Sequence, residues 1–299
     1  MFDYIKEFLK ANEVDFSENK SLKELSAVRI GGKAAIVAYP EDEAQFVDVI
    51  SFLADIGADY VVLGRMSNVL PRDEDYSGVV IRTDKLSELS IRDNTITASV
   101  GVMLPFLARR AIAADIAGFE ELSGIPGSVG GAVAGNAGAF GRECSELVSE
   151  ACIFDPRDRR CYKVKGDKLD FGYRSSMLKK ANCFVLSVKF EGFASDRFLL
   201  KLRELELLSK RKATQPHGLP SLGSVFKRTK DGVSAGYLID KCGLKGYRAG
   251  DAQISETHAG FIVNLGKATA RDYIACMETA AFGVRERFGI ELEREIRLL

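Results

Sequence analysis

Residues 118–141 read GFEELSGIPGSVGGAVAGNAGAFG and hold eight of the chain's 28 glycines. Gly124, Gly127, Gly130, Gly131, Gly135 and Gly138 allow positive φ and let a ligand reach the main chain without meeting a Cβ. They leave almost no room for a regular helix or strand to pack. Between Ser123 and Phe140 the only polar side chains are Ser123, Ser128 and Asn136. Such a loop offers backbone N–H groups to a ligand rich in acceptors, for example a pyrophosphate. The same composition also serves as a tight structural connection. Neither the G-x-G-x-x-G fingerprint nor a P-loop is present.

A second loop has the same character. Tyr60-Val61-Val62-Leu63 is a short apolar run that predicts a buried strand, and it leads into the turn Gly64-Arg65-Met66-Ser67-Asn68. Another strand is expected at residues 79–82. A strand ending in a small polar turn is a further place for phosphate oxygens to meet backbone N–H groups.

The elements that must position these loops follow from periodicity. Residues 2–12 predict a short helix. Phe46, Val47, Ile50, Leu53 and Ile56 predict an amphipathic helix over 42–57. Residues 91–100 alternate as a strand or hairpin, and 104–117 form an apolar helix leading into the glycine stretch. Residues 151–154, 161–164 and 184–190 read as antiparallel strands, with a turn at 155–158. Residues 198–212 predict a helix with Leu199, Leu202 and Leu205 on one face, bridging to a last domain. Ile274, Met277, Ala281, Val284 and Phe288 predict a helix stopped by Gly289, and the tail 290–299 is expected to be a strand.

Composition bounds the rest. At 299 residues the chain accommodates two or three domains. Lys+Arg and Asp+Glu each total 42, a net charge of zero, which argues against nucleic acid or an anionic membrane as the main partner. No run of 18 apolar residues occurs, so no membrane span is expected, and the N-terminus does not read as a signal peptide. Six cysteines without a C-x-x-C pair read as free thiols in a reducing cytoplasm. Two histidines argue against a histidine-rich metal site, and no metal is expected.

Several segments recur in order: Arg29-Ile30-Gly31-Gly32, Ser67-Asn68, Ser123-Gly124-Ile125-Pro126-Gly127-Ser128-Val129-Gly130-Gly131-Ala132, Asn136-Ala137-Gly138-Ala139-Phe140-Gly141, Tyr173-Arg174-Ser175-Ser176, Pro220-Ser221-Leu222-Gly223-Ser224-Val225-Phe226-Lys227 and Gly243-Leu244-Lys245-Gly246. Together, over residues 20–299, they resemble the UDP-N-acetylenolpyruvoylglucosamine reductases. The resemblance implies an α+β flavoprotein with a two-part FAD-binding domain of the vanillyl-alcohol-oxidase/PCMH type and a C-terminal α+β substrate domain. The expected boundaries are 1–84, 85–200 and 201–299. It implies FAD, NADPH as hydride donor, a nucleotide-sugar substrate and a monomer in the cytoplasm, serving peptidoglycan precursor synthesis.

The family's reaction has two halves. NADPH reduces FAD; the flavin then gives hydride to C3 of the enolpyruvyl group, and C2 takes a proton. By the same resemblance, Arg174 anchors the substrate carboxylate, as a guanidinium can bidentately. Ser224 is the proton donor; a serine hydroxyl is a poor acid and needs neighbours that stabilise its alkoxide. Glu295 polarises the carboxylate with Arg174. Glu293 is the competing assignment, since two residues apart on a strand both face one side. Tyr173 and Lys227 are expected at the substrate. Gly64, Arg65, Met66, Ser67, Asn68, Ser123, Ile125, Pro126, Gly127, Gly130, Gly131, Asn136 and Gly138 are expected at FAD. No histidine lies in either loop, so the FAD is expected to be non-covalent. Taken alone, Arg174 reads as a surface arginine, Ser224 as a turn serine and Glu295 as a solvated tail charge; only the motifs raise them above that.

The chain departs from the family pattern at Met66 (usually glycine), at Arg228-Thr229 (usually Asn-Pro) and at Gly260 (usually asparagine). With no tyrosine between Tyr173 and Tyr237, it resembles the shorter subclass without the Tyr-bearing loop. Two rivals share the loops: another FAD-dependent sugar or hydroxy-acid oxidoreductase, which would not need Arg174, Ser224 and Glu295 together, and a non-catalytic binding paralogue.

Overall fold

The computed structural model describes residues 1–180 and 183–299. The chain divides into two compact units, one of residues 1–18, 36–64 and 78–209, the other of residues 19–35, 65–77 and 210–299.

In the first unit, Asp42 caps the helix Glu43–Asp55 by accepting from Gln45 N at 2.8 Å. The helix buries Phe46, Val49, Ile50 and Leu53, the apolar face that a 3.6-residue period produces. A four-stranded sheet, ordered Asp15–Ser21, Lys33–Tyr39, Tyr76–Arg82, Tyr60–Leu63, has its last two strands parallel. A five-stranded sheet is ordered Arg160–Lys165, Val148–Asp155, Phe184–Glu191, Thr95–Ser99, Leu89–Arg92, with every pairing antiparallel. Residues 91–100 thus belong to a hairpin that turns at Asp93, where φ is +51°. One apolar core joins Ile5, Phe46, Ile81, Ile96, Leu107, Phe119, Val133, Phe154 and Phe190.

In the second unit the sheet Ser221–Ser224, Phe261–Asn264, Ala252–Ile254, Arg248–Ala249 lies under the helix Ala270–Phe288, against which the helix Ala235–Lys241 packs. Thr269 and Asp272 form a capping box at the start of the longer helix, and Gly289 ends it in the left-handed region at φ +68°.

Three expectations are corrected. The glycine stretch does hold a helix, Val129–Ala134, with Val129, Ala132 and Val133 buried; the absence of Cβ atoms lets it approach its neighbours closely. The predicted helix 104–117 ends at Ala113, and Ile116–Ala117 pairs with Phe193–Ala194 as a short strand. The tail 290–299 is strand only at Arg297–Leu298, with an isolated bridge at Arg294.

The helix Arg197–Thr214 is also phased differently from the sequence reading. It buries Leu200, Glu204 and Leu207 and leaves Leu199, Leu202 and Leu205 exposed. Leu200 packs on Ile112 and Ala117, and Arg203 pairs with Glu121 at 3.3 Å; these anchors set the rotation.

Tyr273 is wholly buried in the second core, and its hydroxyl has no hydrogen-bond partner among the described residues. An unpaired buried hydroxyl is destabilising. Tyr273→Phe is therefore expected to raise stability by about 1 kcal/mol, read as a higher denaturant midpoint; a lower midpoint would show that the hydroxyl is satisfied.

Candidate functional site

Two clusters of the sequence-predicted residues form, one inside each unit. In the first, the glycine stretch is stitched to residues 100–104. Leu104 N donates to Gly127 O at 3.0 Å, Val129 N to Val102 O at 2.8 Å and Gly130 N to Val100 O at 2.9 Å. A Cβ on Gly130 would lie 3.0 Å from Val100 Cβ, so this glycine is required for close approach of the backbone. The Gly127 φ of +127° turns the chain into the helix that follows.

These bonds leave particular donors over. The N–H groups of Gly127 and Ser128 and the Ser128 hydroxyl have no hydrogen-bond partner among the described residues, although Ser128 is only 3% exposed. Beside them, Gly131 is exposed, and a Cβ there would meet nothing nearer than Ser128 Oγ at 3.8 Å. Gly64 ends the strand Tyr60–Leu63 against the same serine, and a Cβ on Gly64 would run into the Ser128 hydroxyl. The two predicted loops therefore meet at Ser128. Unsatisfied donors beside side-chain-free backbone fit a bound pyrophosphate such as that of FAD. Ser128 was not among the residues assigned to the cofactor. Its signal was a serine just before an apolar helical turn, a capping position, yet it makes no capping bond.

Other predicted cofactor residues are committed elsewhere. Ser123 Oγ donates to Glu120 O at 2.8 Å, and the Gly130 N–H is taken by Val100. Asn136, 1% exposed at φ +43°, spends its side chain within the protein. Its Nδ2 donates to Glu143 Oε2 at 2.8 Å and to Gly172 O at 3.1 Å, while Oδ1 accepts from Ser145 N at 3.0 Å. These side chains brace the loop from within the protein. Pro126 is exposed at its tip and Ile125 half-buried.

Arg174 lies against the same loop. Its guanidinium donates to Asn136 O at 3.3 Å and to Gly138 O at 3.0 Å, and it stands 3.8 Å from Glu143 Oε1. The Tyr173 ring lies 5.0 Å from the guanidinium carbon, a cation–π distance. Arg174 holds φ at +54°, a conformation uncommon for non-glycine residues and concentrated at functional sites.

The second cluster is built on the tail. Glu295 N donates to Val225 O at 2.8 Å and Lys227 N to Glu293 O at 2.9 Å, about an antiparallel bridge between Phe226 and Arg294. Lys227 Nζ reaches Glu293 Oε1 at 2.5 Å, so Glu293 faces the lysine. Asn68 Nδ2 donates to Glu295 O at 3.1 Å and Asn68 O accepts from Arg297 N at 3.0 Å. The Asn68 amide thus holds the glutamate's backbone, a role the sequence did not suggest. Arg65 is exposed and Ser67 half-buried in this turn. Ser224 is exposed at the end of its strand, after a register irregularity where Gly223 takes φ +77°. Its hydroxyl makes no hydrogen bond among the described residues.

The departures from the family pattern are accommodated. Met66 adopts the left-handed φ of +50° that a glycine would take freely, at a cost of roughly 1–2 kcal/mol, while its side chain is buried. Arg228 Nη1 bonds Gly232 O at 3.1 Å and closes the 228–233 turn. Gly260 packs on Gly236 and His258: an added Cβ would sit 3.0 Å from the His258 ring and 3.3 Å from Gly236 Cα. Burial holds the His258 pKa below its ordinary value.

The fold and the donor cradle define an FAD-binding oxidoreductase with a split flavin domain. Residues 34–156 match the FAD binding domain model, and 215–299 match the model of the UDP-N-acetylenolpyruvoylglucosamine reductase C-terminal domain. The chain is 40% identical, over 98% of its length and 93% of the relative's, to the UDP-N-acetylenolpyruvoylglucosamine reductase of Caldicellulosiruptor bescii. The crystal structure of the Thermus caldophilus enzyme of that name superposes with a TM-score of 0.81 at 32% identity, covering 95% of this chain and 98% of that one. Berberine bridge enzyme from Eschscholzia californica, at 12% identity, shares the fold over 64% of this chain and 44% of its own, with a TM-score of 0.50. The chain belongs to the UDP-N-acetylenolpyruvoylglucosamine reductase family.

Gly131→Leu separates a cofactor cradle from a structural turn. The position is helical and open, so the fold should keep or gain stability, whereas the side chain fills the space beside Ser128. Purified protein is expected to melt no lower than wild type but to carry much less FAD, measured by absorbance after denaturation; full flavin content would remove Gly131 from the cofactor site.

Proposed function

We propose that this chain reduces UDP-N-acetylglucosamine-enolpyruvate to UDP-N-acetylmuramate with NADPH, in peptidoglycan precursor synthesis. Family membership over nearly the whole chain carries this reading. The first unit is read as the flavin part and the second as the substrate part. Bound FAD would supply hydride transfer between NADPH and the enolpyruvyl C3. Gly127, Ser128, Gly131 and Gly64 would hold its pyrophosphate through backbone N–H groups and the Ser128 hydroxyl, non-covalently.

Arg174 binds the substrate carboxylate, where negative charge grows as hydride arrives. Two backbone carbonyls aim its guanidinium, so little reorganisation is needed. Glu295 takes the family's role of polarising the substrate carboxylate; its backbone is held by bonds to Val225 O and to the Asn68 side-chain amide. Ser224 gives the proton to C2; its exposed, uncommitted hydroxyl supports that role. Lys227 binds a substrate phosphate, with Glu293 as its counter-ion until substrate arrives. The half-exposed pair itself contributes little stability. Six free thiols support a reducing, cytoplasmic setting.

Rapid mixing tests the assignment. The absorbance change on adding NADPH involves no proton transfer to substrate carbon, so Ser224→Ala should leave it near normal. Return of the absorbance on adding the enolpyruvyl substrate under anaerobic conditions should slow by ~10²–10⁴, the range for general acid catalysis. Ser224→Cys should restore part of the rate. Equal slowing of both phases would make Ser224 structural.

A further inference from the structure

Glu143 has no role in the chemistry above, yet it stands where the glycine loop, the Arg174 turn and the Ser145 turn converge. Its carboxylate has three neighbours: Oε2 accepts from Asn136 Nδ2 at 2.8 Å, Oε1 stands 3.8 Å from Arg174 Nη1, and the side chain also accepts from the Glu146 backbone N–H in a capping box. Asn136 in turn presents its own carbonyl to Arg174 Nη1 at 3.3 Å and ties down Gly172, two residues before the arginine, at 3.1 Å. Arg174 is thus gripped at both ends. The guanidinium rests on Asn136 O and Gly138 O, while the backbone at Gly172 hangs from the same Asn136 amide that Glu143 holds.

The fit leaves little slack. A Cβ on Gly138 would lie 2.5 Å from Arg142 O and 2.9 Å from Glu143 Cγ, so glycine there lets the backbone at 138–139 pair closely with 142–143. Glu143 N is bonded to Glu146 Oε1 at 2.7 Å in a capping box, which fixes the glutamate's own backbone. The Arg174 side chain is 21% exposed and that of Glu143 35%, so the pair is partly shielded from solvent and weakened less by screening than a fully exposed one.

We propose that Glu143 is a positioning residue for the reaction: through the Arg174 ion pair and the Asn136 amide it sets the guanidinium in the orientation that receives the substrate carboxylate. The inference rests on the carboxylate-binding role proposed for Arg174. Glu143 touches neither substrate nor cofactor; it acts through the arginine, whose long side chain would otherwise sample several rotamers.

The test is a double-mutant cycle on the holoenzyme, followed by the same two rapid-mixing phases. Glu143→Gln keeps the shape and an acceptor for Asn136 but removes the charge. It should retain full flavin and an NADPH phase within about twofold of wild type. The substrate concentration giving half-maximal rate in the second phase should rise about tenfold, within the range of coupling between neighbouring residues. Arg174→Lys should raise it at least as much, and adding Glu143→Gln to Arg174→Lys should have little further effect. Glu143→Asp, which keeps the charge on a shorter arm, should fall between wild type and Glu143→Gln.

Additive effects in the cycle would overturn the inference while leaving Arg174's role standing. So would equal damage to both phases, loss of flavin from Glu143→Gln, or an Asp variant worse than the Gln variant. An Arg174→Lys enzyme with unaltered substrate dependence would overturn the arginine's role and this inference together.

Discussion

The flavin loop depends on one close approach, the glycine backbone lying against residues 100–104. Three main-chain bonds hold it there, and the van der Waals limit between residue 130 and Val100 permits only glycine without displacement. Because those bonds consume the donors on one side, the N–H groups of Gly127 and Ser128 remain on the other. Backbone satisfied on one side and left unbonded at Gly127 and Ser128 is what the proposed pyrophosphate cradle requires. The short helix that follows is a consequence: once residues 127–130 are pinned, Val129, Ala132 and Val133 fall onto the core.

Arg174 depends on the same loop. Its guanidinium is satisfied by carbonyls at 136 and 138, so any shift of the flavin loop also shifts the group proposed to bind the substrate carboxylate. Left-handed backbone at both Asn136 and Arg174 marks this junction as strained and held by its surroundings. Asn136 ties this junction together: its buried amide has three protein partners, on Glu143, Gly172 and Ser145.

The second unit solves a different problem, that of fixing a chain terminus. Residues 225–227 pair antiparallel with 293–295, and residues 69–70 pair parallel with 297–298. The tail is thereby held on both sides over a few residues, too few and too irregular for a continuous strand, yet enough to orient Glu295 and to place Glu293 on Lys227.

Local rules made much of this legible in advance. Periodicity located the helices at 43–55 and 270–288, and alternation located the antiparallel strands, because helix and strand impose their own spacing on apolar residues. Ordered motifs identified the family and the flavin, since glycines in a loop are demanded by backbone clearance. Partnerships between distant residues were not legible. Which serine would be left unbonded, that Asn136 and Asn68 would serve the protein's own backbone, that Glu143 would sit beneath Arg174, and which face of the helix 197–214 would turn inward all depend on neighbours far away in sequence. A residue's type sets which bonds it can make; only the packed chain decides which of those bonds are already taken.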